Sequence, residues 1–254
     1  MGDGVRTGAW LPCRPRHRRR RPAAAAGLRQ RRSGAALIAL AIKLLLAYLV
    51  GSIVGSLVLG HLRGIDIRKA GSGNAGATNA FRTQGWTFAL MVAAIDVGKG
   101  ALAALVIARL DLFGQTPVAM SQASVGLACA LAAAVGHCYP VWHGFRGGKA
   151  AGTLFGGVLA LSAWLALAML AVWLLVLAST GYVGLASVMA AVSFPIILLL
   201  TPLRADAALV LVAVAAAALL VWKHRANLAR LRAGSEPRFQ RARVLARLFA
   251  RRKR

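Results

Sequence analysis

Six apolar runs of 16 to 29 residues dominate this chain of 254 residues, and short polar segments separate them. About 20 apolar residues are enough for a helix to cross the hydrocarbon core of a bilayer. Apolar residues make up 59% of the chain and charged residues only 15%, so a soluble domain of this size could not bury its apolar surface. The pattern therefore predicts an all-α integral membrane protein and excludes soluble, disordered and collagen-like chains. The runs are 35–60, 86–109, 118–142, 150–178, 182–200 and 207–222.

The number of spans depends on the run 150–178, whose 29 residues form either one tilted helix or two short helices broken near Ser162. Loops rich in Lys and Arg stay on the cytoplasmic side of a membrane. The basic segments 61–85 and 143–149 share a side because two spans separate them, and the basic tail from Lys223 joins that side only if the run is broken. We therefore expect seven transmembrane helices, some short or broken, with the amino terminus outside and the carboxyl terminus in the cytoplasm.

The two ends of the chain carry most of its net charge of +26. Residues 1–33 hold ten Arg and no apolar periodicity, and we expect an Arg-rich disordered extension, although the seven-span topology puts it opposite the other basic segments. We expect residues 34–231 to form the seven-helix membrane domain and residues 232–254 to form a basic cytoplasmic tail attracted to anionic lipid. Nucleic acid is not an expected partner, because the aromatic residues lie mostly in the spans and not among the Arg clusters.

The segment 64–82 interrupts the apolar pattern with glycine, small polar and cationic residues. Glycines allow backbone N–H groups to converge on an anion, Ser, Thr and Asn side chains add neutral donors, and Arg68, Lys69 and Arg82 add charged ones. The composition indicates a phosphate-binding loop, and an ordinary loop between helices is the alternative. The candidate phosphate-binding residues here are Gly71, Ser72, Gly73, Asn74, Thr78, Asn79 and Arg82.

Two familiar sequence patterns in the same region are weaker evidence of function than this loop. The spacing Gly71-x-Gly73-x-x-Gly76 matches the dinucleotide fingerprint, but that fingerprint requires a preceding β-strand, and the flanks here are membrane helices. His61 and Asp66 have the His-x-x-x-x-Asp spacing of a large group of acyltransferases in which the His is the general base. The acidic-Gly-Thr block that follows in that group is absent, so we expect Asp66 instead to accept hydrogen bonds within its own loop.

Asp96 and Lys99 are charged residues inside the second apolar run. Charges at membrane depth are rare and usually face a polar interior, and residues three apart share one face of a helix. The spacing predicts a structural ion pair, with direct substrate contact as the alternative.

Three further polar segments follow at the ends of later runs. The segment 136–149 ends in Gly-Gly-Lys and opens the next helix, and a helix amino terminus beside a lysine is a second anion site. The segments 180–187 and 224–231 lie on the same membrane face in the seven-span topology, which predicts a site with several anion-binding groups at the cytoplasmic interface. A small transporter of an anionic solute is the alternative, but polar groups that cluster at one face do not line a path through the bilayer.

Five motifs occur in order along residues 36–239: Gly-Ser-Gly-Asn-x-Gly-Ala-Thr-Asn, Asp-x-x-Lys-Gly, Gly-His-x-x-Pro with Phe-Arg-Gly-Gly-Lys, Tyr-Val-x-Leu-Ala-Ser, and His-Arg-x-Asn-x-x-Arg-Leu. This set resembles the PlsY family, the bacterial acyl-phosphate:glycerol-3-phosphate acyltransferases. The resemblance implies seven helices and a cytoplasmic-side active site in the bacterial inner membrane. It implies transfer of a fatty acyl group from acyl phosphate to the 1-hydroxyl of glycerol 3-phosphate, which gives lysophosphatidic acid and phosphate in the first step of phospholipid synthesis. An enzyme that forms acyl phosphate is then a functional partner.

The resemblance also implies roles for single residues. Acyl phosphate is a mixed anhydride with a good leaving group, so the site has to hold two dianions and an acyl chain together, stabilise the oxyanion, and can use a substrate phosphate as base. Gly184 stands where the family usually has Ser, which puts one hydroxyl contact in doubt. No metal cluster is evident, so no cofactor is expected. The implied catalytic residues are Ser72, Arg82, Lys149, Ser187, His224 and Asn227, and Gly147, Gly148 and Lys149 complete the phosphate-binding set.

Overall fold

The computed structural model describes residues 23–112 and 120–240. Within these ranges the chain forms ten α-helices and no β-strand. The helices are α1 (Ala23–Gly51), α2 (Gly55–Leu62), α3 (Ala77–Gln84), α4 (Trp86–Leu105), α5 (Gln122–Cys138), α6 (Ala151–Leu161), α7 (Ala163–Thr180), α8 (Val183–Leu199), α9 (Ala207–Lys223) and α10 (Arg225–Arg232).

Several of these helices are long and apolar enough to cross a membrane. The pair α9 and α10, bent by 54° at His224, adds one more if it counts as a single span, and α6 and α8 are apolar but shorter, with 11 and 17 residues. The run 150–178 is divided at Ser162, whose extended backbone (φ −159°, ψ 106°) separates α6 from α7. The four long candidates are Gly34–Gly51, Trp86–Arg109, Gln122–His143 and Ala163–Thr180.

We expected the first apolar run, 35–60, to form one continuous span, but the structure divides it between two helices. Residues 52–54 are not helical and separate α1 from α2. Charged side chains of α4 bond the backbone groups that this break frees: the Ile53 carbonyl accepts from Lys99 Nζ (2.9 Å), and the Gly55 N–H donates to Asp96 Oδ1 (3.2 Å). The local sequence does not signal the break, because the groups that stabilise it lie more than 40 residues away.

The two predicted terminal segments are described only in part. Helix α1 begins at Ala23, so the backbone of residues 23–33 of the predicted extension is helical. Residues 1–22 and 241–254 lie outside the described residues. The predicted disorder is therefore wrong for residues 23–33, and the disorder of residues 1–22 and the membrane contact of the tail stay predictions.

Helices α5 to α9 form a ring in which each helix packs against the next and α9 returns to α5. Helix α4 packs closely against α6 because Gly100 and Gly156 have no side chain at the contact. A Cβ on either residue would collide with the backbone of the opposite helix. The ring is held together by buried apolar side chains, which stabilise it through close van der Waals packing, because lipid is as apolar as the side chains themselves. These are Leu127, Val158, Leu165, Ala166, Met169, Phe194, Leu198, Leu209 and Ala213.

At one end of this ring the starts of α5 and α9 are capped by their own side chains. Ser121 accepts from the Ser124 N–H (3.0 Å), and Asp206 accepts from the Leu209 N–H (2.9 Å). The hydroxyls of Ser121 and Ser124 both donate to Asp206, and these bonds join the two helices. The described helices that start at the opposite end of the bundle have no such side-chain caps.

Candidate active site

A polar cavity of about 550 Å³ lies at that opposite end, and all five polar segments of the sequence contribute to its lining. Of the residues predicted to be functional, Gly71, Gly148 and Lys99 do not line it: Gly148 and Lys99 are buried, and Gly71 is exposed at the surface of the first loop (residues 64–76). The predicted residues that do line it are Ser72, Gly73, Asn74, Thr78, Asn79, Arg82, Asp96, Gly147, Lys149, Ser187, His224 and Asn227.

Four helices begin at this cavity: α3, α6, α8 and α10. None of their cap residues bonds the first turn with a side chain, in contrast to the capped starts of α5 and α9 at the other end. The first N–H groups of a helix have no partner within it, and the helix dipole adds partial positive charge there. The cavity therefore presents four sets of backbone donors suited to bind anions.

The first loop (residues 64–76) is shaped by Asn79, which is 1% exposed. Its Oδ1 accepts from the Ser72 N–H (2.8 Å), and its Nδ2 donates to the carbonyls of Ile67 (3.1 Å) and Ala70 (3.0 Å). Gly71 has a left-handed backbone (φ +58°), and a Cβ there would collide with Asn79 Oδ1. The Asn79 side chain is thus committed to the loop itself.

Three other side chains of this region remain open to the cavity. Ser72, Thr78 and Arg82 are exposed, and their side chains bond no other group in the described part of the chain. They provide two hydroxyls and a guanidinium, which suits a phosphate group.

Arg68 ties the first loop to the second loop (residues 143–150). Its guanidinium pairs with Asp66 (2.9 Å) and donates from Nη1 to the carbonyls of His143 and Arg146, at 3.2 Å each. The hydrogen bond from Arg68 holds the pKa of Asp66 below its ordinary value. Asp66 therefore accepts within its own loop, as expected, and His61 is exposed and is not its partner.

Lys149 belongs to a network that the sequence revealed only in part. Its ammonium donates to Asn227 Oδ1, Asn227 Nδ2 donates to Glu236 (2.6 Å), and Arg230 Nε donates to Glu236 (2.8 Å). Burial, followed by the charge of Arg230, lowers the pKa of Lys149 to about 8. The sequence motifs did not indicate Glu236 as a site residue. The available signal was that it is the only acidic residue among the twelve cations of the tail.

His224 and Ser187 are fixed by hydrogen bonds to backbone carbonyls. His224 Nδ1 lies 2.8 Å from the Leu220 carbonyl, which only accepts, so Nδ1 carries the proton and Nε2 is an acceptor. The Ser187 hydroxyl donates to the Val183 carbonyl (3.0 Å) and accepts from Trp173 Nε1 (3.3 Å). Both side chains are buried and border the cavity.

A second cavity, of about 280 Å³ and almost entirely apolar, continues from the polar one into the ring of α5 to α9. Side chains such as Leu127, Phe155, Met169 and Phe194 line it. The two cavities thus form one amphipathic site. They share the lining residues Thr78, Ala151, Gly152, Val183 and Ser187.

Comparison with known proteins identifies the family. The family model for glycerol-3-phosphate acyltransferase matches residues 41–234. This chain belongs to that family. A member from Synechococcus sp. (strain CC9902) is 41% identical over 196 residues, which cover 77% of this chain and 92% of that protein. A member from Chlorobaculum parvum (strain DSM 263 / NCIMB 8327) is 35% identical over 217 residues, covering 76% and 93%.

A family member of known structure shares the fold. The glycerol 3-phosphate form of PlsY (YgiH), an integral membrane glycerol 3-phosphate acyltransferase, has a TM-score of 0.70 and 36% identity over 79% of this chain and 95% of that one. Its lysophosphatidic acid form gives the same TM-score and identity over 81% and 98%. The predicted all-helical integral membrane fold and the predicted acyltransferase activity in phospholipid synthesis are confirmed.

Proposed function

We propose that this protein transfers a fatty acyl group from acyl phosphate to the 1-hydroxyl of glycerol 3-phosphate. The observation that carries the proposal is the junction of an anion-binding cavity with an apolar one. The two substrates together carry two phosphate groups, which suit the polar cavity, and one hydrocarbon chain, which suits the apolar cavity. The acyl carbon that reacts then lies at the junction, where Thr78 and Ser187 border both cavities.

The acyl phosphate occupies both cavities. Its chain extends between α5 and α9 among apolar side chains, which keep its CH₂ groups out of water. Its phosphate lies against the first loop, with Ser72 and Arg82 as donors and with the start of α3 behind it. Asn79 keeps the loop in the shape that this requires.

Glycerol 3-phosphate lies between the second loop and the side of the cavity that is lined by α10 and the start of the tail. Lys149 and the start of α6 face its phosphate, whereas the N–H groups of Gly147 and Gly148 donate to the carbonyls of Cys138 and His137 and so hold the second loop in place. Asn227 orients Lys149, and His224 Nε2 accepts a hydrogen bond from a glycerol hydroxyl. Glu236 balances the positive charge of Arg230 when the site holds no substrate.

In the reaction, the 1-hydroxyl oxygen of glycerol 3-phosphate forms a bond to the acyl carbonyl carbon. The bond between that carbon and the phosphate oxygen then breaks, and phosphate leaves with the electron pair. The hydroxyl proton passes to a phosphate oxygen or to His224 Nε2. Helix amino termini at the junction stabilise the oxyanion, and holding both substrates side by side supplies much of the rate enhancement.

For the topology we infer seven spans, formed by α1 from residue 34 onward and by α4 to α9, with the amino terminus outside. The cavity end faces the cytoplasm of a bacterial inner membrane. Support comes from the charge of the segments between spans, because those described at the opposite end carry Arg109 and Arg204 against Asp111 and Asp206. Helix α1 adds Arg29, Arg31, Arg32 and Lys43 on that side, against this trend. Against Asp66 and Glu236, the described residues of the cavity end include eleven cations: Arg63, Arg68, Lys69, Arg82, Arg146, Lys149, Lys223, Arg225, Arg230, Arg232 and Arg238.

The substrate also implies a functional partner. Acyl phosphate is a reactive anhydride, so an enzyme on the cytoplasmic side has to form it and deliver it to this site. Residues 34–231 suffice for the chemistry in this proposal, and the tail 232–254 adds Glu236 and attraction to anionic lipid.

The test uses the purified full-length protein in a lipid mesophase with acyl phosphate and glycerol 3-phosphate. We expect release of phosphate and formation of lysophosphatidic acid in equal amounts, by a colorimetric assay and by mass spectrometry, and no product with acyl-CoA. Lack of lysophosphatidic acid would contradict the proposal. Uptake of glycerol 3-phosphate into proteoliposomes without acylation would favour an anion transporter instead.

A further inference from the structure

Three polar side chains, Asp96, Lys99 and His137, form a cluster beside the polar cavity, and the reaction above gives them no chemical step. They are only 3–5% exposed. We propose that they act as one positioning unit that holds the backbone of both phosphate-binding loops in place. This inference rests on the proposed function, because the loops it supports are those assigned to the substrate phosphates.

The ammonium of Lys99 is fully used within the cluster. It contacts Asp96 Oδ1 (3.0 Å), His137 Nδ1 (2.8 Å) and the Ile53 carbonyl (2.9 Å). A lysine ammonium has three donors and no acceptor, so these three contacts saturate it. Lys99 thus has no donor left for a substrate phosphate, and its role is inside the protein.

The same contact fixes the state of His137. His137 Nδ1 lies 2.8 Å from Lys99 Nζ and 3.3 Å from Asp96 Oδ1. With Lys99 charged, the ammonium donates to the lone pair of Nδ1 and the ring proton is on Nε2. The negative charge of Asp96 then balances the positive charge of Lys99, and the buried cluster is neutral overall. Neutrality matters because an unbalanced buried charge beside the cavity would be costly and would change its affinity for dianions.

The second loop rests on His137. The Gly148 N–H donates to the His137 carbonyl (3.0 Å), and the Gly147 N–H donates to the carbonyl of Cys138 (3.3 Å). A Cβ on Gly148 would collide with His137 Nε2 and would lie 2.7 Å from the carbonyl of Ala75, which belongs to the first loop. Both loops therefore meet at the edge of this imidazole.

The cluster also holds the chain that leads into the first loop. Lys99 and Asp96 bond the Ile53 carbonyl and the Gly55 N–H at the break between α1 and α2. Helix α2 continues from this break to Leu62 and runs directly into the first loop. The positioning unit thus fixes the beginning of the first loop through Lys99 and its end through His137.

Three substitutions at His137 distinguish two roles of this side chain: positioning of the loops, and provision of a hydrogen-bond acceptor for Lys99. His137→Ala keeps the backbone carbonyl that accepts from Gly148 but removes the imidazole beneath Gly148 and the acceptor for Lys99. We expect KM for both substrates to rise about tenfold or more, the loss typical of a buried donor without its partner. His137→Gln reaches under Gly148 and should recover most of this loss. His137→Asn restores an acceptor for Lys99 but leaves space under Gly148, and should recover folding without recovering KM.

A second measurement tests the contact directly. In the wild type, Gly148→Ala should raise KM for both substrates because the new methyl group meets the imidazole. In the His137→Asn background the same change should cost less, so the two substitutions are not additive. Strictly additive effects, or recovery of KM by His137→Asn but not by His137→Gln, would overturn the positioning role.

Asp206→Asn is the matched control, since it weakens a polar cluster at the opposite end of the bundle. It should lower thermal stability without changing either KM. A KM rise of similar size in this variant would show that any loss of stability affects the loops, and would overturn the inference. An inactive wild type would instead contradict the proposed function, whereas an active wild type with an unchanged KM in His137→Ala would contradict only the positioning unit.

Discussion

The ammonium of Lys149, at the start of α6, donates to the side-chain oxygen of Asn227 in α10, 78 residues further along the chain. This bond joins the second loop to the tail side of the cavity. It also aligns a partly buried cation with the amino terminus of a helix, and both attract a phosphate group.

Replacing Lys149 with Ala should lower kcat/KM about ten- to a hundredfold, because a charge-assisted contact to a dianion contributes about 1.5–3 kcal/mol. The variant should remain folded, since Lys149 bonds a side chain and not the backbone of the loop. Initial rates of phosphate release at equal folded concentration test this. Wild-type turnover in Lys149→Ala would remove the residue from the site.

The activity should depend on pH through the same residue. The pKa of Lys149 is lowered to about 8, so the free enzyme carries this charge below pH 8 and loses it as the pH rises above 8. We expect kcat/KM for glycerol 3-phosphate to fall across that range. Lys149→Arg should flatten the profile, because a guanidinium stays charged. An unchanged alkaline fall in that variant would assign the titration to another group.

Two arginines near the first loop should behave differently when replaced with Ala. Arg82→Ala should lower kcat/KM about ten- to a hundredfold with little change in stability, because its guanidinium faces the cavity without a protein partner among the described residues. Arg68→Ala should also lower the melting temperature, since Arg68 ties both loops together. Arg109→Ala, at the opposite end, is the control and should change neither. Equal melting temperatures for the first two variants would contradict this division.

The choice of catalytic groups can be tested where two patterns disagree. If His61 were the general base of a His-x-x-x-x-Asp pair, any substitution there would cost about 10²–10⁴-fold. His61 is exposed and Asp66 pairs with Arg68, so we expect His61→Arg to retain most of the activity. Ser72→Ala and His224→Ala should lose most of theirs. An inactive His61→Arg beside an active Ser72→Ala would reverse this mechanism.

The proposed topology predicts which end of the molecule is accessible from outside intact cells. In a background without the native cysteines, a cysteine at Arg204 should react with a membrane-impermeant maleimide. Cysteines at Lys149 or Arg232 should react only after the membrane is made permeable. Efficient labelling of Arg232→Cys from outside would contradict the seven-span arrangement.

The sequence alone determined the membrane class and the positions of most helices, and it predicted most of the polar residues that line the cavity. Apolar runs of sufficient length leave a chain few alternatives to membrane helices, and glycine, small polar and cationic residues are concentrated where those runs end. The break near Ser162 was predicted from the distribution of charge. The basic tail reaches the same side of the membrane as the basic loops only if the run 150–178 forms two helices. The family motifs then named Lys149, His224 and Asn227 as site residues without any coordinates.

Only the tertiary structure decided how these residues are used. Asn79 was expected to bind phosphate, but its side chain bonds the first loop, and Arg68 bonds the second loop. The break after α1, the support of Gly148 by His137 and the role of Glu236 depend on partners that are distant in sequence. Hydrogen bonds and steric fit are short-ranged in space, so residue types can indicate an anion site, but only the packed helices determine which donors remain free to bind the anion.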